Sequence, residues 1–299
     1  MRILNCIVSY NRLAYLDNCV RSMDEFFKLG DRLVVDDGSS DPRLLEYLET
    51  MESNGDVVLR QSRNRSGHWS AGLEMAMDRA VTFALEREYD YVNFVQDDTQ
   101  FVWHDPLFMA KVVEVFERFP DALQVSYHFF KKIMATWVHG QLEYFSAENC
   151  YHFRPYALSD LGIVPLSRMR THGLRVERSE EERNVLLRSQ GFKRYSLHSP
   201  VLAWVPWPAT HRGEASFGRI LPPPKRYYIK PLSACQIAEL TVRPLAKLPC
   251  HEDYCLPWGW RCLSPYWYST PNWRDYLRLL GRSARDGSLL LPHFVTAGG

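Results

Sequence analysis

The sequence predicts an α/β fold in which a mostly parallel β-sheet is flanked by helices. Over the first hundred residues, short apolar runs of strand length alternate with stretches whose apolar residues recur at helical spacing, and this alternation is typical of a parallel sheet with helical crossovers. Hydrophobic residues make up 46% and charged residues 24% of the chain, as in a packed globular protein. The 299 residues suffice for one large α/β domain, with or without a C-terminal appendage.

The predicted elements follow one another in regular order. Strands are predicted by β-branched and other apolar residues at Ile3–Val8, Arg32–Asp36, Val57–Arg60, Tyr91–Val95 and Ala122–Phe129. Helices are predicted by apolar periodicity at Leu13–Leu29, Pro42–Met51 and Gly67–Glu88, and after Asp105 and Pro106, which suit a helix cap and a first turn. We expect Tyr144–Pro155 to be irregular and the charge-rich run Arg168–Arg183 to be exposed.

A domain boundary is predicted at the proline run Pro222–Pro224. Residues 1–221 then form the main domain, and residues 222–299, which are rich in Pro, Trp and Tyr, form a C-terminal extension. Its aromatic segments Pro257–Arg261 and Pro265–Tyr268 fit three roles: a wall for a sugar acceptor, packing of the extension onto the main domain, or a homodimer contact.

Composition argues against several classes of protein. The net charge of +1 argues against a nucleic-acid partner. No apolar run reaches the roughly 20 residues of a transmembrane segment, and the N-terminal apolar run is too short for a signal peptide. Seven cysteines in mostly apolar surroundings favour a reducing compartment over a disulfide framework. We therefore expect a cytoplasmic protein, and peripheral association with a membrane is left open.

Polar residues follow three of the predicted strands, at Ser9–Arg12, Asp36–Asp41 and Gln96–Asp98. In open α/β sheets, ligands bind at the carboxyl ends of the strands. Adjacent carboxylates there repel each other unless a cation or a hydrogen-bond donor offsets them, and Mg²⁺ is bound by one or two carboxylates together with phosphate oxygens. The pattern favours a nucleoside diphosphate held with a divalent cation over the alternative of plain turn and helix-cap residues.

Two common nucleotide-binding motifs are absent from the sequence. There is no G-x-G-x-x-G after the first strand and no G-x-x-x-x-G-K-[ST] anywhere, which argues against dinucleotide oxidoreductases and P-loop NTPases. Four other segments occur in order: N-C-I-V-S-Y-N-R, V-V-D-D-G-S-S-D, N-R-S-G-H-W-S-A-G and F-V-Q-D-D. Through them residues 1 to about 215 resemble the family 2 glycosyltransferases, inverting enzymes of the GT-A fold that use nucleotide-sugar donors.

The resemblance implies a donor half at about residues 1–105 and an acceptor half at about 106–221. It also implies a pocket for the donor nucleotide, lined by Ser9, Tyr10, Arg12, Asp37, Asn64 and His68. Glu74 lies near the place where the family usually carries a second Asn.

A metal site is implied by the same resemblance. Asp97 and Asp98 correspond to the D-x-D-type motif, with Asp98 as the direct ligand of Mn²⁺ or Mg²⁺ and Asp97 beside the donor. His211 resembles the late His that completes the metal site in many GT-A enzymes, and an imidazole suits Mn²⁺ better than Mg²⁺. The cysteines around His251 suggest a zinc site less strongly than a packed Cys-rich segment, because a fourth ligand and a second compact pair are missing.

An inverting transfer also needs a general base near the acceptor hydroxyl. Residues 179–192 resemble the acidic helix start that precedes an Arg and a Gly in this family. Glu182 has capping-box spacing from Ser179, and Gly191 suits a C-terminal cap. Alignment on Gly191 favours Glu180 as the base and leaves Glu181 as the second candidate. A first-turn Glu that only complements the helix dipole is the alternative.

The sequence therefore predicts a metal-dependent, inverting glycosyltransferase of hexosyltransferase type. Its donor is expected to be a nucleotide sugar: UDP is the commonest nucleotide in such families, and GDP and dTDP are left open. Its acceptor is expected to be a hydroxyl of a glycan, a lipid-linked or a small molecule, in glycan or polysaccharide biosynthesis. The alternatives are a sugar-1-phosphate nucleotidyltransferase, which would normally bring a Gly-rich basic loop after strand one, and a non-catalytic nucleotide-sugar- or carbohydrate-binding protein of the same fold.

Overall fold

The computed structural model describes residues 1–61, 71–130, 142–154, 156–172, 180–205 and 228–255. The strands of this part of the chain are β1 (Ile3–Ser9), β2 (Asp31–Asp36), β3 (Val57–Arg60), β4 (Tyr91–Gln96), β5 (Thr99–Phe101), β6 (Ala122–Ser126), β7 (Leu142–Phe145), β8 (Cys150–Phe153), β9 (Gly162–Pro165), β10 (Lys193–Leu197) and β11 (Leu202–Trp204). The helices are α1 (Leu13–Phe26), α2 (Pro42–Ser53), α3 (Ala71–Glu86), α4 (Phe108–Arg118), α5 (Leu166–Thr171), α6 (Glu180–Ser189), α7 (Ala234–Val242) and α8 (His251–Tyr254).

Nine of these strands form one sheet in the order β3-β2-β1-β4-β9-β6-β10-β8-β7. β1 pairs in parallel with β2 and β4, and β2 pairs in parallel with β3. β9 runs antiparallel between β4 and β6, β10 is again parallel to β6, and β8 and β7 complete the sheet as antiparallel strands. β5 and β11 form a separate antiparallel pair. The mostly parallel sheet with flanking helices confirms the predicted fold class.

Apolar side chains cover both faces of the sheet. In β1, Ile3 and Ile7 belong to one buried cluster and Leu4 and Cys6 to another, because successive side chains of a strand point to opposite faces. The first cluster includes apolar residues of α1, α2 and α4, and the second includes those of α3. Helices thus shield the two faces of the sheet from water, and the partly exposed Asp37 and Asp98 follow two of the strand ends.

The segment Tyr144–Pro155, expected to be irregular, contains regular structure, so that prediction is wrong. β7 and β8 form an antiparallel hairpin in which Tyr144 pairs with Tyr151. β8 in turn pairs with β10, with His152 opposite Tyr195. Sheet neighbours that lie more than 40 residues away in the chain stabilise this hairpin, and a local sequence pattern does not show them.

The expected exposure of the run Arg168–Arg183 holds for residues 170–172 and 180–182, and two of its described residues are exceptions. Met169 of α5 is buried in the second core cluster, and Arg183 of α6 is only 3% exposed. Residues 173–179 lie outside the described part of the chain. The fold thus buries one arginine, Arg183, of this otherwise exposed, charge-rich run.

Helix α1 is three residues shorter than predicted, since it ends at Phe26 rather than at Leu29. Phe27 leaves the helix and its ring stacks on that of Phe101, with the ring centroids 4.5 Å apart. Burial of this ring in the core is a stronger determinant here than the helical periodicity of the sequence.

The described part of the predicted C-terminal extension packs on the main domain. Ile229 and Leu232 belong to the first core cluster. Gln100 exchanges two hydrogen bonds with the backbone of Ile229, both of 2.6 Å, and the Leu232 N–H donates to the Val102 carbonyl at 2.8 Å. The division between the two parts remains a prediction, since residues 206–227 lie outside the described residues.

Candidate functional site

The polar segments that follow three strands meet at one edge of the sheet. Ser9, the last residue of β1, pairs with Asp36, the last residue of β2, and Val8 pairs with Gln96, the last residue of β4. The Asp37 N–H donates to the Ser9 carbonyl at 2.9 Å. The three strand ends therefore share one edge, as the sequence predicts.

Arg12 joins the two carboxylates that follow β4. Its Nη2 lies 2.5 Å from Asp97 Oδ1, and its Nη1 lies 3.2 Å from Asp98 Oδ2. The Ser9 hydroxyl donates a further hydrogen bond to Asp97 Oδ2 at 3.0 Å. The side chain of Asp97 is 0% exposed and that of Asp98 is 18% exposed. Asp97 is thus buried beneath Arg12, and Asp98 is the carboxylate of the pair that reaches solvent.

The electrostatics of this pair follow from burial and proximity. Burial raises the pKa of Asp97, while the Arg12 charge acts to lower it and the Asp98 charge to raise it. For Arg12, burial acts to lower the pKa, but the charges of Asp97 and Asp98 prevail and raise it above its ordinary value. The guanidinium is therefore a fixed cation, and it offsets the repulsion between the adjacent carboxylates.

Several of the polar residues at the end of β2 shape the loop itself. The Asp36 carboxylate accepts a hydrogen bond from the Ser39 N–H at 3.1 Å. The Asn11 side chain accepts from the Ser40 N–H at 2.7 Å, and the Asp41 carboxylate caps the start of α2. Asp36 and Asp41 thus act as the turn and helix-cap residues of the alternative interpretation of this motif.

Asp37 has a different position, against the first turn of α3. A Cβ atom built on Gly72 would come within 2.5 Å of Asp37 Oδ1 and closer still to Oδ2. The carboxylate therefore fills the space that a side chain at the second residue of the helix would occupy, where the helix dipole favours an anion. Asp37 and Tyr10 are both half-buried at this edge of the sheet.

A third carboxylate beside the end of β4 is Asp160, which the sequence analysis missed. It precedes β9, whose Gly162 pairs with Phe94 of β4, and its carbonyl accepts a hydrogen bond from Gln96 Nε2 at 3.4 Å. Burial raises the pKa of Asp160 to about 7, and the charges of Glu180 and Asp98 raise it too. Asp160 therefore lies in the electrostatic field of both the proposed metal ligand and the proposed base.

Two buried arginines lie in the same region, and the sequence analysis missed their role as well. Arg183 and Arg194 are 3% and 7% exposed. Burial lowers the pKa of Arg194 to about 10, against the opposing effects of Tyr156, Glu180 and Asp160. Its guanidinium carbon lies 5.0 Å from the centroid of the Tyr156 ring. The carboxylates at the start of α6 are thus accompanied by buried positive charge.

The start of α6 is also connected to α3. Glu74 of α3 is 6% exposed, and burial raises its pKa, while a hydrogen bond from the backbone N–H of Glu180 acts to lower it. Glu180 and Glu181, the two candidate bases, both lie in the first turn of α6, and both are exposed. Of the two, it is the charge of Glu180 that acts to raise the pKa of Glu74 and of Asp160.

Three of the predicted site residues, Asn64, His68 and His211, lie outside the described residues. Within the described ranges, no group of three or more His, Cys, Asp or Glu side chains is arranged to hold a metal ion by itself, the region of His251 included. No helix in this part of the structure is long and apolar enough to span a membrane. The predictions for the three residues stay predictions.

Comparisons with known proteins identify the family. Among solved structures, the chain is similar to TarS of S. aureus, with 15% identity and a TM-score of 0.46, over 68% of this chain and 36% of that chain. It is also similar to the mannosyltransferase PcManGT of Pyrobaculum calidifontis, solved with GDP-Man and Mn²⁺, with 15% identity and a TM-score of 0.44, over 96% of this chain and 76% of that chain. The present chain thus spans little more than a third of the length of that TarS chain.

A comparison with curated proteins finds no match. The model of the family described as "Glycosyl transferase family 2" matches residues 6–167, more than half of the chain, and the protein therefore belongs to glycosyl transferase family 2.

Proposed function

We propose that this protein is a metal-dependent inverting glycosyltransferase that moves a sugar from a nucleotide-diphosphate sugar, a UDP-sugar in the first instance, to an acceptor hydroxyl. The observation that carries the proposal is the meeting of Asp37, Asp97 and Asp98 at one edge of the sheet. Asp160 lies in the electrostatic field of both Asp98 and Glu180. One edge thus offers groups for a donor and for an acid–base step.

The residues at the end of β4 fit a divalent cation that one protein carboxylate holds together with the donor. Asp97 is buried and paired with Arg12, so the partly exposed Asp98 is the carboxylate that offers an oxygen. Mg²⁺ commonly binds one or two carboxylates plus phosphate oxygens, and His211 is a proposed further ligand that would favour Mn²⁺. When bound, the cation would stabilise the negative charge of the departing diphosphate.

The nucleoside is proposed to lie at the ends of β1 and β2. Asp37 suits hydrogen bonds from the ribose hydroxyls, and Tyr10 and Ser9 are proposed to line the pocket beside it. Arg12 was expected to line this pocket directly. Its guanidinium is bonded to Asp97 and Asp98, so its proposed contribution is to fix those carboxylates. Asn64 and His68 remain proposed donor contacts.

The proposed chemical step uses Glu180 as the general base. Its carboxylate removes the proton of the acceptor hydroxyl while the acceptor oxygen forms a bond to the anomeric carbon. The bond between that carbon and the diphosphate oxygen breaks, and the nucleoside diphosphate leaves with the electron pair. Attack opposite the leaving group inverts the anomeric configuration.

The test compares Glu180→Gln with Glu181→Gln, because both residues are exposed in the same helical turn. Release of nucleoside diphosphate is measured from UDP-glucose, UDP-N-acetylglucosamine and GDP-mannose with Mn²⁺. We expect Glu180→Gln to lower turnover by roughly 10² to 10⁴, the usual cost of a lost base, and Glu181→Gln to leave it close to wild type. The reverse ranking would transfer the role to Glu181.

Products distinguish the proposal from its alternatives. A nucleotidyltransferase would release pyrophosphate from UTP and a sugar 1-phosphate, and a binding protein would release nothing from any of these donors. Either result would contradict the proposed function.

A further inference from the structure

Residues 157–161, named here the connecting segment, join the strand that leads to Asp98 with the helix that begins at Glu180. On the sheet side, the Asp160 carbonyl accepts from Gln96 of β4. The next residues enter β9, which pairs with β4. The connecting segment is therefore attached to the strand that carries the proposed metal ligand.

On the helix side, the connecting segment is attached through the side chain of Asn184. Its Oδ1 accepts hydrogen bonds from the Ala157 N–H at 2.7 Å and the Leu158 N–H at 3.0 Å. Its Nδ2 donates to the Leu158 carbonyl at 2.9 Å. Asn184 is 3% exposed, so water does not replace these bonds when they are lost.

The same amide also holds the residue that carries the proposed base. Asn184 Nδ2 donates to the Glu180 carbonyl at 2.9 Å. The first residue of a helix has no helical hydrogen bond to its own N–H and is prone to fraying. Here the carbonyl of that first residue has a side-chain partner in Asn184.

We propose that Asn184 is a positioning residue that sets the place of the Glu180 carboxylate relative to Asp98, through the connecting segment. The inference rests on the proposed function, because it takes Glu180 to be the base. The route is short: Asn184 bonds Leu158, and two residues later Asp160 bonds the last residue of β4. Displacement of a catalytic group by about 1 Å can cost on the order of 10²-fold in rate, so loss of this connection lowers turnover without touching donor or acceptor.

The experiment is a double-mutant cycle in the full chain, made from Asn184→Ala, Glu180→Gln and the double variant. Turnover is measured as Mn²⁺-dependent release of UDP or GDP from the donor that the wild type hydrolyses fastest. Binding of UDP with Mn²⁺ is measured by calorimetry. We expect Asn184→Ala to lower kcat by about 10- to 100-fold with the Kd of UDP changed less than about twofold. In the Glu180→Gln background, we expect the same substitution to lower kcat by less than about twofold.

A matched control is Asn5→Ala. Asn5 is 1% exposed and donates to the Leu29 and Asp31 carbonyls at 2.5 and 3.3 Å, but it lies in the first half of β1, away from the strand ends. We expect it to lower the Tm as Asn184→Ala does, with kcat per folded molecule unchanged. Hydrogen exchange provides a second measurement: Asn184→Ala should speed exchange of the Ala157 and Leu158 amides, and Asn5→Ala should not.

The outcomes separate the inference from the proposed function. Equal losses of kcat from Asn184→Ala in the wild-type and Glu180→Gln backgrounds would mean that Asn184 is merely structural, and would overturn the inference alone. Full turnover of Glu180→Gln would remove the proposed base and the positioning role together. If Asn184→Ala does not fold, Asn184→Asp keeps the acceptor oxygen for Ala157 and Leu158 and loses both donated bonds, and the same cycle is then run with it.

Discussion

The substitution Gly72→Ala tests whether the position of Asp37 determines nucleotide binding. An added Cβ at residue 72 would meet the Asp37 Oδ1 within 2.5 Å and its Cγ at 2.7 Å. Both distances are well below van der Waals contact, so one of the two residues has to move. Gly72 is held in helix α3, whereas the Asp37 carboxylate is at the end of a rotatable side chain. We therefore expect Asp37 to rotate away and the backbone to stay in place.

The expected magnitudes differ for stability and for binding. Ala is favoured over Gly inside a helix by about 1 kcal/mol, and the rotation of one half-buried side chain offsets a gain of that size, so the free energy of unfolding should change by less than about 1 kcal/mol. A hydrogen bond to a charged group contributes about 1.5–3 kcal/mol. Loss of one such bond from Asp37 to the ribose should raise the Kd of UDP by about 10- to 150-fold.

Calorimetric titration of UDP with Mn²⁺ measures this Kd, and thermal unfolding measures the stability. The control is a cycle with Asp37→Ala, in which Gly72→Ala should cost no further affinity because the displaced carboxylate is already gone. Wild-type affinity of the Gly72→Ala variant, with the fold intact, would refute the assignment of Asp37 to the nucleoside pocket. A further loss in the Asp37→Ala background would show that residue 72 acts by another route.

Three further predictions address the metal, the C-terminal region and pH. Asp98→Asn should abolish the Mn²⁺-dependent part of UDP binding in calorimetry and leave metal-free UDP binding no weaker; Mn²⁺ enhancement equal to that of wild type would contradict the proposed ligand. Deletion of residues 228–255 should leave no folded protein by circular dichroism. Burial of about three aliphatic side chains of this region contributes roughly 5–9 kcal/mol, which is much of the stability of a typical domain. A soluble, cooperatively folded product would show that the region is an independent appendage. Burial, followed by the Arg243 charge, lowers the pKa of His198 to about 4. Between pH 4 and the ordinary pKa of a histidine, the unfolded chain therefore binds more protons than the folded chain. The free energy of unfolding should fall by about 3 kcal/mol as the pH decreases through that window. In urea titrations, His198→Gln should remove that part of the pH dependence, and the control His104→Gln, at an exposed histidine, should not. Identical pH profiles for wild type and His198→Gln would contradict the burial argument.

The half of the fold built from parallel strands was predictable from sequence because its signals are local. Strands β1, β2 and β4 are mostly buried on both faces, so they are largely apolar, with Asn5 and Asn93 as interior exceptions, and each run ends in polar residues. The sharing of one edge by these ends follows from parallel pairing alone. The Asp37 and Asp98 positions could therefore be predicted without knowledge of any long-range contact.

The other half of the site depends on contacts between residues far apart in the chain. Arg12 and Asp97 are separated by 85 residues, and only the fold shows that the guanidinium is bonded to the carboxylates. Asp160 lies before β9, a four-residue strand that is antiparallel to both of its neighbours and has no distinctive sequence pattern. Asn184 is one polar residue in a charged helix, and its role is visible only once the connecting segment is in place.

The two adjacent carboxylates after β4 show why a motif does not by itself define a metal site. Successive residues at a strand end point in different directions, so Asp97 is directed inward, against Arg12 and Ser9, while Asp98 stays partly exposed. Arg12 offsets the charge of the buried Asp97, 2.5 Å away, more fully than that of the partly exposed Asp98, 3.2 Å away. The reason is that the Coulomb attraction becomes stronger as the distance and the dielectric constant fall. The negative charge that remains is therefore at Asp98, where it repels the diphosphate of a donor unless a cation lies between them. This charge distribution supports the proposed metal dependence, separately from the family resemblance.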